Sequence, residues 1–540
     1  MDRTHSKTRL NLFWFRRDLR ISDNQGLWQA CRYPEIEVWP IFIIDPYFFY
    51  QWPDIGKLRV RFMLESLQEL DVNLQKLGSR LYLLEGNSQE IWQRIYRQAQ
   101  EQFALSVYFN RDRQISYGQT RDQMVLTLAK QHNCKVYIGS SNFLLLNPAE
   151  MPNWRKLYYE YQEQPCFPTP KIIRTNSVMA EEFWSKAGIQ RLSLAEFQEK
   201  YKLFMNLKSP LFTGGTSQAE LTLNSFLDHR FVGYHWKLSR PEAAYLGATS
   251  HLSPHIMWGT LSVRQIYQKA YQKIQLLKAK AQQKLKLSLS LQSFLDRLRW
   301  RESFTQRLYF YPHYADQNWY SEFDQYYNWN LTAQQAEYYE KWKQGETGFL
   351  LIDAAMKQLQ AVGWLNFRLR AMCATFLCIN CGVSWHWGAR HFMNTLVDGD
   401  IAIDSWQWQM QAGITNPLQP AFRIYDPDKN LLEKDPQCAF VKRWLPEISQ
   451  LEAKAIQNYR LNHLRPPKML NFQETKRTHG KIIADLRKQV RARLLQENSL
   501  ATELALTQKT VVEKYYQNQQ KRYLESQTQS LFDDFREGNE

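Results

Sequence analysis

The first third of the chain alternates short apolar runs with stretches in which apolar residues recur every third or fourth position. Five runs have the length and composition of buried strands: Leu10 to Phe15, Ile36 to Ile44, Arg80 to Glu85, Ser106 to Asn110 and Lys135 to Gly139. Between the second and third, Leu67, Leu70, Leu74 and Leu77 keep helical spacing. This alternation predicts a doubly wound parallel α/β sheet with helices on both faces. Such sheets bind ligands beyond the carboxyl ends of their strands. Arg16, Arg17, Asp18 and Arg20 follow the first run, where a dinucleotide site would carry GxGxxG.

The pattern then changes. From residue 141 to 208, prolines at 148, 152, 165, 168 and 170 punctuate what reads as a connector between domains. From 209 to 465 strand signals fade and helical periodicity dominates, so this domain is expected to be helical. The Lys-, Gln- and Leu-rich run from Arg264 to Leu289 reads as an exposed helix. Residues 466–540 form a charged helical extension in which Ile482, Ile483, Leu486, Val490 and Leu494 make one apolar stripe. Past about Glu525 the composition suits disorder.

Charge alters this picture. Lys and Arg exceed Asp and Glu by 69 − 53 = 16, which suits a polyanionic partner, nucleic acid before membrane surface. No run of about 18 apolar residues predicts a membrane span. With no secretory signal at the start, a cytoplasmic protein is expected. Seven cysteines show no disulfide framework. Cys378 and Cys381 make a CxxC, but inside a helical run and without a second pair. They read as buried small hydrophobes, and no metal site is expected. Nineteen Trp and 29 Tyr exceed ordinary use, and most are expected to fill the helical core.

Candidate chemistry concentrates in the helical domain. The run from Gly247 to Pro254 (GATSHLSP) offers small hydroxyls and backbone amides ahead of a helix, a phosphate nest or a simple cap. Arg301, within Trp300-Arg301-Glu302, is placed to clamp a phosphate. Gly345 to Gly348 (GETG) leads into a helix containing Asp353. From Gly363 to Trp408, Arg368 and Arg370 are followed by Asp398, Asp400 and Asp404, then by Trp406 and Trp408. Charges and indoles mixed in this way suit a site for a polar, redox-active cofactor better than a plain core.

WFRRDLR, TSHLSP, WRE, GETGFLLIDAAM, GWLNFRLRAM, DGD and WQW, in that order, resemble the photolyase/cryptochrome family across residues 10 to 450 or so. The resemblance implies an N-terminal α/β domain (1–140) and a helical FAD-binding domain, and leaves room for a second antenna chromophore of folate or deazaflavin type, as is common in the family. It implies that Tyr234, Thr249, Ser250, Leu252 and Ser253 line the FAD phosphates and ribityl chain, with Arg301 on the diphosphate. Arg370 and Asp398 would pair beside the isoalloxazine. Asp400 would accept from the flavin edge, and Asp404 would face N5. Trp406, Trp385 and Trp329 would relay electrons outward.

The lesion pocket departs from the family pattern. Arg297 stands where pyrimidine-dimer photolyases carry Glu, Phe367 where they carry Asn, and Ala371 where they carry Met. Trp300 and Trp408 remain to stack on a flipped lesion. The loop between Asp400 and Trp406 is two residues short, as in a divergent bacterial branch. The implied function is light-driven repair of UV-induced pyrimidine lesions in double- or single-stranded DNA, by a monomer, through electron transfer from reduced FAD. The alternative is a cryptochrome-type blue-light photoreceptor without repair activity.

Overall fold

Five parallel strands with near-continuous apolar sequence build the N-terminal sheet. They are β1 (Thr8–Phe15), β2 (Glu37–Ile44), β3 (Tyr82–Glu85), β4 (Phe103–Asn110) and β5 (Lys135–Gly139). Every residue of β2 is buried, as a central parallel strand covered on both faces requires. A sixth strand, β6 (Arg191–Leu192), pairs antiparallel with β3 and completes the order β5-β4-β1-β2-β3-β6. The computed structural model describes residues 7–48, 55–112, 115–140, 142–145, 147–202, 211–279, 285–417 and 422–497. The expected disorder past Glu525 lies outside them.

The proline-punctuated segment does more than connect. It carries β6 and helix Ser177–Lys186, whose Phe183 and Trp184 pack on Trp39 of β2 at 5.4 and 5.6 Å between ring centroids. Ile173 donates its amide to Leu77. Two residues are too few for a strand signal in sequence, so β6 was not legible there.

Strand order reverses between β1 and β4, the crevice where open sheets hold ligands. Side chains of the chain itself fill much of it. Asn110 Nδ2 donates to Asp18 Oδ2 at 2.5 Å, and its Oδ1 accepts from the Gly26 amide at 2.9 Å. Arg17 grips Asp112 through two nitrogens at 2.9 and 3.0 Å. Its remaining nitrogen lies 3.8 Å from Asp400 of the helical domain.

The loop after β1 also locks the two domains. Arg20 donates to the Gly259 carbonyl at 2.9 Å, and Leu19 to that of Trp258 at 3.2 Å. Gly259 has φ +69°, and a Cβ there would sit 2.3 Å from the Arg17 carbonyl, so no other residue fits. Asp23, fully buried, pairs with Arg264 and accepts from Ser262 Oγ at 2.6 Å. Arg264 lies in the first turn of helix Val263–Ala279, which corrects the expectation of an exposed helix there. Ile266, Tyr267, Ala270, Ile274 and Leu277 bury its other face.

In the helical domain the largest core gathers around helix Leu350–Val362, buried at Leu350, Ile352, Ala355, Met356 and Leu359. Asp353 accepts from the Thr347 amide (2.8 Å), the Thr347 hydroxyl (2.6 Å), the Gly348 amide (3.0 Å) and Arg465 (2.7 Å). The GETG motif is therefore a structural buckle. Helix Phe472–Gln496 seats Ile483, Val490 and Leu494 in this core, so the first half of the extension is part of the domain. Cys378 and Cys381 are buried in the same core, and burial pushes both thiols well above their ordinary range.

Candidate functional site

Three helices meet at the cluster of charges. Helix Leu285–Phe310 carries Arg297, Trp300, Arg301 and Arg307. Helix Phe367–Thr375 carries Phe367, Arg368 and Arg370. Asn366 fixes its start, accepting from the Leu369 amide at 3.2 Å and donating to the Leu238 carbonyl at 3.0 Å. Helix Ile401–Gln411 is capped by Asp400, which accepts from the Ala402 amide at 3.3 Å.

Arg370 Nη2 donates to both oxygens of Asp398 at 2.9 and 2.7 Å, and its Nε donates to the Leu365 carbonyl at 2.9 Å. The expected pair is thus formed. Asp404 accepts the Asp400 amide at 2.8 Å. Arg301 pairs with Glu302 and lies 3.4 Å from Asp400 Oδ2. Asp400 therefore stands between Arg301 and Arg17, and links the sheet domain to the cluster. No local signal marks Arg17 for this role, because the contact joins distant parts of the chain.

Burial pushes the Asp404 carboxyl up to about 7, with Arg370 opposing the shift and Asp398 adding to it. A group whose folded pKa lies above its unfolded value takes up a proton on folding. Its contribution to stability is lost as pH rises from about 4 to about 7. The melting midpoint of an Asp404→Asn variant, relative to the parent apoprotein, is therefore expected to rise between pH 5 and pH 8, equivalent to about 3 kcal/mol. A constant difference across that range would contradict the shift.

The phosphate-nest run is drawn together by Arg230, which donates to the carbonyls of Gly247 (2.9 Å), Thr249, Ser250 (3.2 Å) and Thr222 (2.8 Å). Thr249 Oγ1 is buried without a hydrogen-bond partner. Leu252 is fully buried, so it can offer only backbone, while Ser253 is exposed. Tyr234 is buried against Phe226 and Phe294 at 5.5 and 5.8 Å, and burial pushes its hydroxyl up to about 12.

The indoles divide in a way their spacing did not show. Trp385 stacks on His386 at 4.0 Å, and His386 lies 4.9 Å from Trp329, which is 42% exposed. His386 bonds Ser384 Oγ at 2.7 Å and the Asp316 carbonyl at 3.1 Å, and burial lowers it to about 4, leaving a neutral bridge. Trp406 belongs to a separate cluster with Phe304, Leu308 and Tyr314. The Arg307 guanidinium lies 3.6 Å from its ring.

Trp408 is a correction. It was expected to stack on DNA, but it is 2% exposed and packs on Phe392 at 4.9 Å and Trp342 at 6.1 Å. A ring so enclosed offers no face to a base. The physical reason is helical period. Asp400, Asp404 and Trp408 are four residues apart on one row, whereas Trp406 points to the opposite side. From Trp408, ring contacts run through Trp342, Tyr339 (6.2 Å) and Trp387 (5.5 Å) to Trp329 (5.7 Å). Trp300 and Phe367 are exposed, and Arg297 lies 4.9 Å over Phe367.

Among the described residues no three His, Cys, Asp or Glu are grouped to hold a metal ion. No helix among them is long and apolar enough to cross a membrane. The partnerless Thr249 hydroxyl, the Arg370–Asp398 pair and the protonatable Asp404 suit FAD, with donors for phosphate at one end and charge control at the other.

Comparison with known proteins agrees. Residues 11–163 match the family model DNA photolyase, and residues 294–498 match the FAD binding domain of DNA photolyase. A deoxyribodipyrimidine photo-lyase of Synechococcus sp. is 31% identical over 461 residues, covering 82% of this chain and 89% of the relative. Cryptochrome DASH of Synechocystis sp. is 26% identical over 477 residues, with coverage of 82% and 89%. Among solved structures, an archaeal photolyase from Sulfolobus tokodaii with two FAD molecules superposes with a TM-score of 0.71. It is 25% identical and covers 89% of this chain and 100% of that one.

Proposed function

The chain belongs to the photolyase/cryptochrome family, and on that premise we propose that it repairs UV-induced pyrimidine lesions in DNA, using light and bound FAD. The observation that carries the reading is the buried row of Asp400, Asp404 and Trp408, set against the Arg370–Asp398 pair. FAD, when bound and reduced, supplies the light-excited electron, and the protein holds, tunes and screens it. A second chromophore would sit on the sheet domain.

Each residue has a task. Thr249 and the backbone from Ser250 to Ser253 bind phosphate and ribityl oxygens. Arg301 and Arg17 place positive charge on either side of Asp400. Arg370, oriented by Asp398, offsets negative charge on the flavin ring. Asp404, near neutrality in its pKa, holds or releases a proton at N5 across the physiological range. Trp408 is the first electron donor of the relay, and the two runs of rings converge on exposed Trp329, where a solution reductant reaches it. Trp300 remains to stack on the flipped lesion, with Arg297 beside it.

The experiment is illumination of the reduced holoprotein with an oligonucleotide bearing a pyrimidine dimer, followed by counting restored pyrimidines. Restoration in blue light and none in the dark is expected. No restoration in light, with lesion bound, would defeat repair of that lesion. The second reading, a photoreceptor, gains from the burial of Trp408, which leaves one of the two expected stacking rings available.

A further inference from the structure

One side chain of the sheet domain takes part in the charged cluster of the helical domain. Arg17, two residues past β1, grips Asp112 beyond β4 through two nitrogens, and its third lies 3.8 Å from Oδ1 of buried Asp400. Arg301 stands 3.4 Å from the other Asp400 oxygen. The two cations are carried differently. Arg301 projects from helix Leu285–Phe310 and shares its charge with neighbouring Glu302. Arg17 sits on a loop whose backbone is clamped across the domain boundary. A Cβ at Gly259 would lie 2.3 Å from its carbonyl, and the next residues, Leu19 and Arg20, donate to Trp258 and Gly259.

Asp400 in turn bears on Asp404. Its carboxylate caps helix Ile401–Gln411, and its amide donates to Asp404 Oδ2 at 2.8 Å. Where the Asp400 side chain is held, that amide is held with it. Arg370 opposes protonation of the Asp404 carboxyl, whereas the Asp398 and Asp400 carboxylates favour it. Other charged or titratable side chains on the neighbouring helices are engaged elsewhere. Arg307 lies over Trp406 and Arg368 over Tyr425. His386 and Arg390 face Trp329, His391 faces Trp342, and His313 stacks on Trp319. Arg17 and Arg301 therefore reach Asp404 through Asp400.

We propose that Arg17 is a positioning residue of the flavin site, supplied by the sheet domain, which holds Asp400 and through it the hydrogen bond to Asp404. The inference rests on the reading that Asp404 serves flavin N5, and it names what sets the proton there. With Arg17 gone, the Asp400 carboxylate loses one of its two flanking cations and repels a second negative charge more strongly. Freed to turn, Asp400 also loosens its amide from Asp404. Both effects favour the protonated acid, so they add. The two domains are thus coupled by charge at the flavin site, and not by packing alone.

The test is an infrared pH titration of the full-length apoprotein, where no flavin carbonyl overlaps. The protonated-carboxyl band that Asp404→Asn removes belongs to Asp404, and its parent midpoint is expected at about 7. Arg17→Gln should raise that midpoint by about half a pH unit or more. Arg17→Lys keeps the charge but reaches only one of the two acids, so its midpoint should fall between, and it serves where the glutamine variant folds poorly. The loss of melting temperature in Arg17→Gln should be larger at pH 8 than at pH 5, because raising the folded pKa removes stability as pH rises. In an Asp404→Asn background the loss should be equal at both. A midpoint unmoved or lowered in both variants, with melting losses equal at every pH, would overturn the role and leave Arg17 a domain fastener. Neither light nor lesion enters, so repair that fails while the midpoint moves would count against the proposed function alone.

Discussion

Arg370→Met is expected to yield a chain that no longer retains FAD through gel filtration and melts well below the parent. The side chain it removes is the only ion-pair partner that the described residues offer buried Asp398. Stripping one partner from a buried ion pair typically costs about 3–5 kcal/mol, because the remaining charge is desolvated and unmatched. Arg370 also opposes the upward shift of Asp404, so its loss leaves two acids stranded together. Adding Asp398→Asn should recover much of the melting temperature and little of the FAD, since neutrality relieves the stranded charge without restoring the cation. The readouts are flavin absorbance per chain and the thermal midpoints of the two single variants and the double. Full FAD occupancy in Arg370→Met would show that the pair serves packing only.

The second large effect concerns the relay. Trp408→Phe is expected to slow the blue-light reduction of bound flavin by added thiol by at least about tenfold. Trp406→Phe should change it by no more than about twofold. The reason is electrostatic. A hole on Trp406 would form 3.6 Å from the Arg307 guanidinium, and a unit charge at that range opposes it by about 4–5 kcal/mol at an effective dielectric near 20. Trp408 has Phe392 and Trp342 as neighbours instead. Mass spectrometric mapping of oxidised indoles after prolonged illumination gives an independent reading, with modification of exposed Trp329 lost in Trp408→Phe. The reverse pattern, with Trp406 required and Trp408 dispensable, would reinstate the assignment made from spacing alone.

That contrast shows what could be read along the chain and what could not. Strands β1 to β3 were visible because a parallel sheet buried on both faces demands unbroken apolar runs, and the less buried β4 and β5 because they are short runs rich in aromatic and β-branched residues. The Arg370–Asp398 pair and the position of Asp404 followed from motif order. Trp408 was misplaced because the shortened loop was matched by its WQW letters rather than by helical period. Counting four residues at a time from Asp400 would have put Asp404 and Trp408 on one row. Other features had no local trace. Arg17 reaching Asp400 and Arg307 over Trp406 both depend on how distant segments pack. The GETG motif carried a signal that was real but structural, since its turn exists to satisfy Asp353.

A crystal structure of the holoprotein tests the flavin site most directly. FAD should lie with its ring between the Arg370–Asp398 pair and helix Ile401–Gln411, Asp404 within hydrogen-bonding reach of N5, and the Thr249 hydroxyl on a phosphate or ribityl oxygen. A flavin seated elsewhere, or one that leaves Asp404 and Trp408 facing only protein, would contradict it.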